Sequence, residues 1–337
     1  MRLAAANASR WQGEPGHYEA WHLRTADPGS AASAWIRLGF TAPQADLAGD
    51  ALAEVWFVGH AAEGALYARR ETFAIDRLQT GAGGFPVTLG RCVLEASSAR
   101  GSVDEAAWDL TWDAEAGVVG WGGEGRIRRS ELVATQPAIR VTGTVTIDGS
   151  QLSVQGWPAH QLHAWGARHA ESSARVHCNE FPEVGDFVEV LSRRQARRRA
   201  RPSPLVTMGA ARIDGTLFDV HDPARGVASH AEFGPEGYRF VVRGARTKLE
   251  GAVSCSIGDL VGVVYRDPDG GRVYAYHADR ATLDVAIRRR GPRGGSVVAQ
   301  AHVRCAYEYQ TRQPVAGVEG RAAQLAAARE LAAEAVS

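Results

Sequence analysis

The sequence has no apolar run long enough to cross a membrane and no N-terminal signal peptide. Polar and charged residues interrupt the first segment, MRLAAANASRWQGEPG, and no later segment approaches the roughly 20 apolar residues of a membrane-spanning helix. The four cysteines are widely spaced and include no C-x-x-C pair, so neither a disulfide framework nor a zinc ribbon is indicated. These absences predict a soluble, cytoplasmic protein.

Net charge is also absent, because the 38 basic and 38 acidic side chains cancel. Global electrostatics therefore gives no reason to expect a nucleic acid or a charged membrane as partner. Six arginines fall within residues 193–201 without interleaved aromatic rings. We interpret this run as a solvated hairpin loop and not as a nucleic-acid contact.

Apolar residues, by contrast, are plentiful. The chain has 337 residues, of which 45% are hydrophobic, and exceeds what one core usually supports. Short runs of alternating apolar and polar residues, separated by turn residues about 8 to 12 positions apart, predict antiparallel sandwiches or barrels. We predict two lipocalin-like β-domains, residues 1–155 and 156–320, and a helix over the alanine-rich residues 321–337.

Residues 156–181 concentrate side chains that can take part in chemistry. This segment holds four of the eleven histidines, together with two tryptophans, a cysteine, an asparagine and two glutamates. A segment that only had to fold would be mostly apolar on one face and polar on the other. We therefore predict that the functional site involves this segment.

The catalytic candidates are acids and histidines. They are Glu19, His163, His169 and Glu171. A carboxylic acid in an apolar cavity has a raised pKa and can stay protonated near neutral pH, and a histidine can shuttle a proton. The alternation of side chains along a strand places Glu19 and Trp21 on one face, where both would line the same cavity.

Each of these candidates also has a structural interpretation. Glu19 would form an ion pair with an arginine such as Arg24 or Arg37. His163 would donate a hydrogen bond to a backbone carbonyl, with Trp165 filling the junction between the domains. These alternatives stay open at the level of sequence.

The substrate-binding candidates are mostly aromatic. They are Trp21, Trp157, Trp165, His177 and Asn179. Aromatic faces attract positive charge and would stabilise a cationic intermediate, whereas Asn179 would otherwise cap a turn. The histidines of this region and Cys178 follow neither an H-E-x-x-H helix nor a paired-cysteine module, so we predict no metal site.

Residues spaced along almost the whole chain resemble the double-lipocalin-like superfamily. They are Tyr18-Glu19-x-Trp21-x-Leu23-Arg24, Trp35-Ile36-Arg37, Glu54-Val55-Trp56, His163-x-Trp165-Gly166-x-Arg168-His169, His177-Cys178-Asn179, Asp267-Pro268-Asp269-Gly270 and Tyr307-Glu308-Tyr309. This superfamily includes carotenoid 1,2-hydratases, AttH proteins, tocopherol cyclases and fungal Diels–Alderases. The resemblance implies two lipocalin-like barrels side by side, with an apolar cavity between or within them.

The same resemblance implies an enzyme that acts on a hydrophobic molecule, often isoprenoid or polyketide-derived. We expect a hydratase, cyclase or isomerase that protonates a double bond or holds a reactive conformer, without a cofactor. A non-catalytic carrier of a hydrophobic ligand is the alternative, and a scaffold whose cavity is filled is a third. A buried carboxyl or histidine in a pocket would favour the enzyme. The oligomeric state stays open, with a homodimer among the alternatives.

Overall fold

A computed structural model describes residues 3–114, 119–121, 130–195, 203–220, 223–289 and 296–318. Within these ranges the chain is nearly all β-strand, arranged in two sheets, so the all-β prediction is confirmed. The helix predicted over residues 321–337 lies outside the described residues, as do residues 196–202 of the arginine-rich run. No helix in the described ranges is long and apolar enough to span a membrane.

The first sheet has twelve strands in the described part of the chain. They are β1 (His17–Ala26), β2 (Ser33–Ala42), β3 (Leu52–His60), β4 (Leu66–Ala74), β5 (Leu78–Thr80), β6 (Val87–Leu89), β7 (Cys92–Leu94), β8 (Ser98–Val103), β9 (Ala106–Thr111), β10 (Val119–Trp121), β11 (Ser130–Ile147) and β12 (Ser150–Gly166). Their order is β4-β3-β2-β1-β12-β11-β9-β8-β7-β6-β5, and β10 pairs with β11.

This sheet curls around a core of large apolar side chains, among them Trp21, Phe57 and Trp108. The backbone N–H of Glu105, between β8 and β9, donates to the hydroxyl of Tyr67 on β4 at 3.1 Å. Strands far apart in the sheet order therefore meet across the core, which gives the sheet the form of a barrel.

The second sheet has ten strands within the described ranges. They are β13 (Ser172–Cys178), β14 (Phe187–Arg194), β15 (Val206–Ile213), β16 (Thr216–Val220), β17 (His230–Gly234), β18 (Gly237–Arg243), β19 (Thr247–Ser254), β20 (Val261–Arg266), β21 (Arg272–Arg289) and β22 (Ser296–Thr311). Their order is β16-β15-β14-β13-β22-β21-β19-β18-β17, and β20 pairs with β21. A hydrogen bond of 2.6 Å between Ser192 and Tyr238 joins β14 to β18 across the interior.

The helices of the described chain are short. They are α1 (Leu3–Asn7), α2 (Pro223–Val227) and two 3-10 turns, Ile75–Arg77 and Ile257–Asp259. The carbonyl oxygen of Asn7 accepts a hydrogen bond from the indole of Trp21, and its side-chain amide donates to Gln161. Helix α1 therefore lies against side chains that face the interior of the first barrel.

The chain passes from the first sheet to the second between Gly166 and Ser172. The boundary predicted at residue 155 falls inside β12, which pairs with β11 from Ser150 onward and with β1 from Ala159 onward. Strand-like alternation continues through β12, so local sequence does not reveal which sheet that strand joins.

The two sheets pack face to face through two apolar clusters. One joins Trp35 and Trp56 to Val261 and Val263. The other joins Leu162 of β12 to side chains of β14 and β15. Between these clusters lies a seam of polar and aromatic side chains, and the candidate site is found there.

Candidate functional site

Strand β1 presents different side chains to its two sides. Glu19 and Trp21 point into the first barrel, on one face as the alternation predicted. Tyr18, His22 and Arg24 point to the opposite side, towards the second sheet. Both sides of β1 are buried because the second sheet covers its outer face.

Glu19 and His163 form a buried pair inside the first barrel. The Nε2–H of His163 donates to the carboxylate of Glu19 at 2.7 Å, and its Nδ1–H donates to the carbonyl oxygen of Ala6 at 2.8 Å. The carboxylate also accepts the backbone N–H of Arg10 at 2.8 Å and the hydroxyl of Ser9 at 2.9 Å. This pair therefore anchors the N-terminal segment to the barrel.

Glu19 is an ionised carboxylate and not the protonated acid expected from the sequence. Burial alone would raise its pKa, but the hydrogen bond from His163, together with His17 at 3.7 Å, outweighs burial and lowers the pKa to about 2. The partner of Glu19 is a histidine because Arg24 lies on the opposite side of β1, and Arg37 pairs with Glu54 instead. A buried carboxyl with this pKa cannot donate a proton at neutral pH.

The candidate tryptophans lie in or beside the first barrel. Trp21 is fully buried and stacks on His163 with ring centroids 5.0 Å apart. Trp157 belongs to the same core. Trp165 lies 4.6 Å from the ring of His163 and below the guanidinium of Arg10. Within the described chain none of the three lines a cavity of the seam, so the structure gives them packing contacts and no access to a ligand there.

A cavity of about 90 Å³ lies between the two sheets, and we call it the inner cavity. Its main polar and aromatic wall residues are Tyr18, His22, Arg24, Trp35, Arg37, His169, Arg175, Tyr265, His277 and Glu308. Leu132, Leu162 and Leu191 line it as well, so the cavity is largely apolar, as the resemblance implied, and also carries buried charged and aromatic groups. The interiors of both barrels are occupied by core side chains.

Trp35 lies between two histidines of the inner cavity. Its indole N–H donates to Nδ1 of His22 at 3.0 Å, and its ring lies 4.4 Å from that of His277. The hydroxyl of Tyr265 lies 3.4 Å from Nε2 of His277. Burial is the main cause that lowers the pKa of both histidines well below the usual value, and the charges of nearby arginines add to it. Both rings are therefore neutral at pH 7.

His169 is held in the wall of the inner cavity by a buried carboxylate. Its backbone N–H and its Nδ1–H both donate to Asp267, at 2.9 and 2.6 Å. The ring stacks between Tyr18 and Tyr265, at 3.9 and 5.4 Å between centroids. Burial would raise the pKa of Asp267, but the hydrogen bond and charge of His169, with the charge of Arg312, lower it. Asp267 therefore stays ionised and fixes the orientation of the imidazole.

A larger groove of about 440 Å³ adjoins this site, and we call it the outer groove. Its wall includes Arg37, Pro43, Leu47, Leu52, Glu54, Arg70, Val264, Tyr265, Arg266 and Pro268. Arg37 and Tyr265 belong to the walls of both spaces, and the Arg37 guanidinium lies 5.1 Å from the Tyr265 ring centroid. Arg37 and Tyr265 therefore lie where the inner cavity adjoins the outer groove.

His177 and Asn179 line a third, smaller cavity of about 30 Å³. Nδ1 of His177 lies 2.5 Å from Glu189, and its ring lies 3.7 Å from that of His160. The side-chain amide of Asn179 donates to the carbonyl oxygen of Ala159 at 2.6 Å. Asn179 therefore ties the second sheet to β12 and does not cap a turn.

Glu171 lies apart from the cavities, with 45% of its side chain exposed and Arg168 at 3.9 Å. Of the nine predicted site residues, all within the described ranges, His169 alone lines the inner cavity. The central segment does not form one site because it crosses between the sheets and alternates faces. In the part of the chain that the structure describes, no group of three or more His, Cys, Asp or Glu side chains could hold a metal ion.

Comparisons with known proteins identify the fold. No protein-family model and no curated protein matches the sequence. Three of the solved structures that match the chain over most of its length are double-lipocalin-like proteins. An AttH-like protein from Nitrosomonas europaea has a TM-score of 0.55 and 14% identity, covering 88% of this chain and 92% of that one.

The other two are kievitone hydratase from Nectria haematococca and CghA, a Diels–Alderase, with Sch210972. Kievitone hydratase has a TM-score of 0.54 and 12% identity, covering 90% of this chain and 91% of its own. CghA has a TM-score of 0.56 and 12% identity, and the superposition covers 91% of this chain and 94% of CghA. The chain has the double-lipocalin-like fold. The prediction of two lipocalin-like barrels is thereby confirmed, while identities this low leave the reaction to be argued from the site.

The double-lipocalin-like fold brings together residues that sequence reasoning did not select. Tyr18, His22, Arg37 and His277 line the inner cavity, yet they come from the neighbouring strands β1 and β2 and from β21, which is distant in sequence. One signal was available on β1, where Tyr18 and Ala20 lie on one face and Trp21 and Leu23 on the other. Apolar side chains on both faces indicate a strand that is buried on both sides.

Proposed function

We propose that the protein is an enzyme that acts on a hydrophobic small molecule by proton transfer, as a hydratase, cyclase or isomerase. The observation that carries the proposal is His169, which Asp267 orients in the wall of the inner cavity. A histidine held in this way is the usual form of a general acid or base. The reacting part of the substrate would lie in the inner cavity, and the rest in the outer groove.

His169 is suited to exchange a proton with a bound molecule. Nδ1–H donates to Asp267, which leaves Nε2 to accept or deliver a proton. Burial raises the pKa of Tyr265, so this neighbour of His169 stays a neutral hydroxyl that can donate a hydrogen bond. Hydration, cyclisation and isomerisation by proton transfer change no net oxidation state, so the proposal includes no redox cofactor.

The wall of the cavity supports an enzyme more than a carrier. A carrier of an apolar ligand gains nothing from burying histidines and arginines, because polar groups without water are costly to bury. His22 and His277 are both buried at the inner cavity, together with Arg24 and Arg37. An enzyme that binds and transfers protons uses such groups.

The test compares His169→Gln with His302→Gln. His302 is a matched control because its Nδ1 also lies 2.6 Å from a carboxylate, Asp284, but the pair is exposed. Purified protein is incubated with a lipid extract of the source cells, and compounds are followed by mass spectrometry. A product heavier by one water indicates a hydratase, and a product of equal mass and altered retention indicates a cyclase or isomerase.

We expect His169→Gln to lower turnover about 100-fold or more, the usual contribution of a general acid or base. Asp267→Asn is expected to lower turnover as well, whereas His302→Gln retains it. Recovery of a bound compound that the native protein leaves unchanged would show a carrier instead. Unchanged turnover in a folded His169→Gln variant would remove His169 from the mechanism.

A further inference from the structure

Two buried arginines of the inner cavity, Arg24 and Arg37, have no role in the proton transfer proposed above. The Arg37 Nη1 atom lies 3.7 Å from Glu54, beyond hydrogen-bond distance, while Arg70 approaches the same carboxylate to 3.1 Å. In the described part of the chain this Nη1 atom has no hydrogen-bond partner, although it is buried. A buried guanidinium donor of this kind can form a charge-assisted hydrogen bond with an acceptor that a ligand brings.

Arg24 adds a second positive charge to the same cavity. Its Nε lies 3.0 Å from Asp279, and its guanidinium lies 5.3 Å from the centroid of the Trp35 ring. After burial, the charges of Arg37, Arg175 and Arg24 are the next causes that lower the pKa of His22. Among the described residues, four arginines and two glutamates, Glu131 and Glu308, line the inner cavity, so positive groups outnumber negative ones there.

This excess of arginines, with the unpaired Arg37 donor among them, disfavours a carbocation and favours an oxygen anion. The inner cavity is smaller than the roughly 150 Å³ that accommodates a benzene ring, so it has room for a small polar group only. The outer groove has a volume of about 440 Å³ and carries Leu47 and Leu52, each at least 40% exposed. Arg37 and Tyr265 form part of both walls, so a molecule can place its head in one space and its body in the other.

We propose that the inner cavity is an anion-binding subsite in which Arg24 and Arg37 hold the carboxylate or enolate oxygen of a substrate whose apolar part occupies the outer groove. This inference rests on the proposed function and names its substrate class. An enolate fits the reaction, because His169 removes a proton from the carbon beside a carbonyl. The C–H electron pair then forms the carbon–carbon double bond, and the carbonyl oxygen becomes the anion that the arginines stabilise.

The test measures binding of octanoate and octanamide by calorimetry, because the two probes have the same chain and differ in charge. Native protein is expected to bind octanoate about tenfold or more tightly than octanamide, the value of a charged hydrogen bond. Arg37→Gln and Arg24→Gln are each expected to reduce this preference to about twofold or less. Arg69→Gln is the matched control, since Arg69 also pairs with one carboxylate, Asp104, and lies over a tyrosine ring.

The position of the alkyl chain of octanoate is tested by Leu52→Asp, which places a negative charge in the outer groove. It is expected to weaken octanoate binding and leave acetate binding unchanged. Equal affinity for octanoate and octanamide in native protein would overturn the inference without any variant. If Arg37→Gln and Arg24→Gln both fold and retain the native preference for octanoate over octanamide, the inference is overturned as well.

The two proposals fail separately. If His169→Gln loses turnover and native protein shows no preference for octanoate, the results reject the anion-binding subsite and support the proposed enzyme. If the preference for octanoate depends on Arg37 but His169→Gln retains turnover, the results reject proton transfer by His169 and support the anion-binding subsite. Binding is measured without turnover, so neither result depends on the other.

Discussion

At the scale of single residues, Glu19 shows how hydrogen bonding decides the state of a buried acid. It is surrounded by donors, including His163 and the backbone N–H of Arg10. These donors stabilise the charged form more strongly than burial destabilises it. Glu19 therefore acts as an anchor for the N-terminal segment, because the His163 ring that it holds also binds the carbonyl oxygen of Ala6.

We predict that Glu19→Gln lowers the free energy of unfolding at neutral pH by about 3 kcal/mol. The reason is that folding lowers the pKa of Glu19 from 4.5 to about 2. A lowered carboxyl pKa stabilises the fold fully above pH 4.5, and this contribution is lost as the pH falls towards 2. The difference between native and variant protein should therefore shrink below pH 4.5 in urea titrations.

The control for this prediction is Glu14→Gln. Glu14 also approaches His17, at 3.5 Å, but 47% of its side chain is exposed, so little change is expected. Turnover per folded molecule should be retained in both variants. Equal stability of Glu19→Gln and native protein at pH 7 would contradict the anchoring role.

At the scale of elements, the long strands β11 and β12 carry irregularities that let them follow the curvature of the barrel. The register between them shifts at three places, one of which lies between Val141 and Thr142. Gly143 follows this shift and has a φ of +140°. A Cβ atom at this position would lie 2.0 Å from the carbonyl oxygen of Asp109 on the neighbouring strand. Only glycine permits this close approach.

We predict that Gly143→Ala lowers the free energy of unfolding by about 3 kcal/mol, because it adds a steric clash to backbone strain. Gly149→Ala is the matched control, since Gly149 also has a positive φ, of +75°, but nothing lies within 4 Å of its added Cβ. Gly149→Ala should lower the free energy of unfolding by about 1 kcal/mol, because it adds backbone strain alone. Equal losses in urea denaturation would show that the clash with Asp109 is relieved by movement of the strand.

At the scale of the whole molecule, the two barrels depend on each other for the burial of their facing sides. Val263 of β20 is buried against Trp35 and Trp56 of the first sheet, and Leu162 contacts the second sheet in the same way. The seam also holds the charged groups of the inner cavity. Separation of the sheets would expose both apolar clusters to water, so the barrels should unfold together.

We predict that Val263→Asp uncouples the two barrels, because it buries a charge in the apolar contact between them. All nine tryptophans lie within residues 11–165, so tryptophan fluorescence reports on the first barrel, whereas circular dichroism reports on both. The two urea midpoints should coincide in native protein and diverge in the variant. Val184→Asp, at a position that is 68% exposed, is the control. Coincident midpoints in Val263→Asp would show that the clusters do not couple the barrels.

Local sequence predicted much of the fold and one residue of the candidate site. Alternation of apolar and polar residues predicted the strands, and it placed Glu19 and Trp21 on one face because successive side chains of a strand point to opposite sides. It could not assign β12 to the first sheet, since pairing partners are chosen by contacts far away in sequence. His169 was selected for its chemical type, while Asp267, which orients it, lies 98 residues further on.

The sequence by itself determined the period-two pattern of the strands and the resemblance that implied two barrels, because both depend on residue types at short spacing. Tertiary structure alone decided which face of β1 meets the second sheet, that Glu19 is ionised, and that Arg37 reaches Tyr265. The physical reason is that burial, charge and hydrogen bonding are properties of a residue's neighbours, and those neighbours come from strands that only folding brings together.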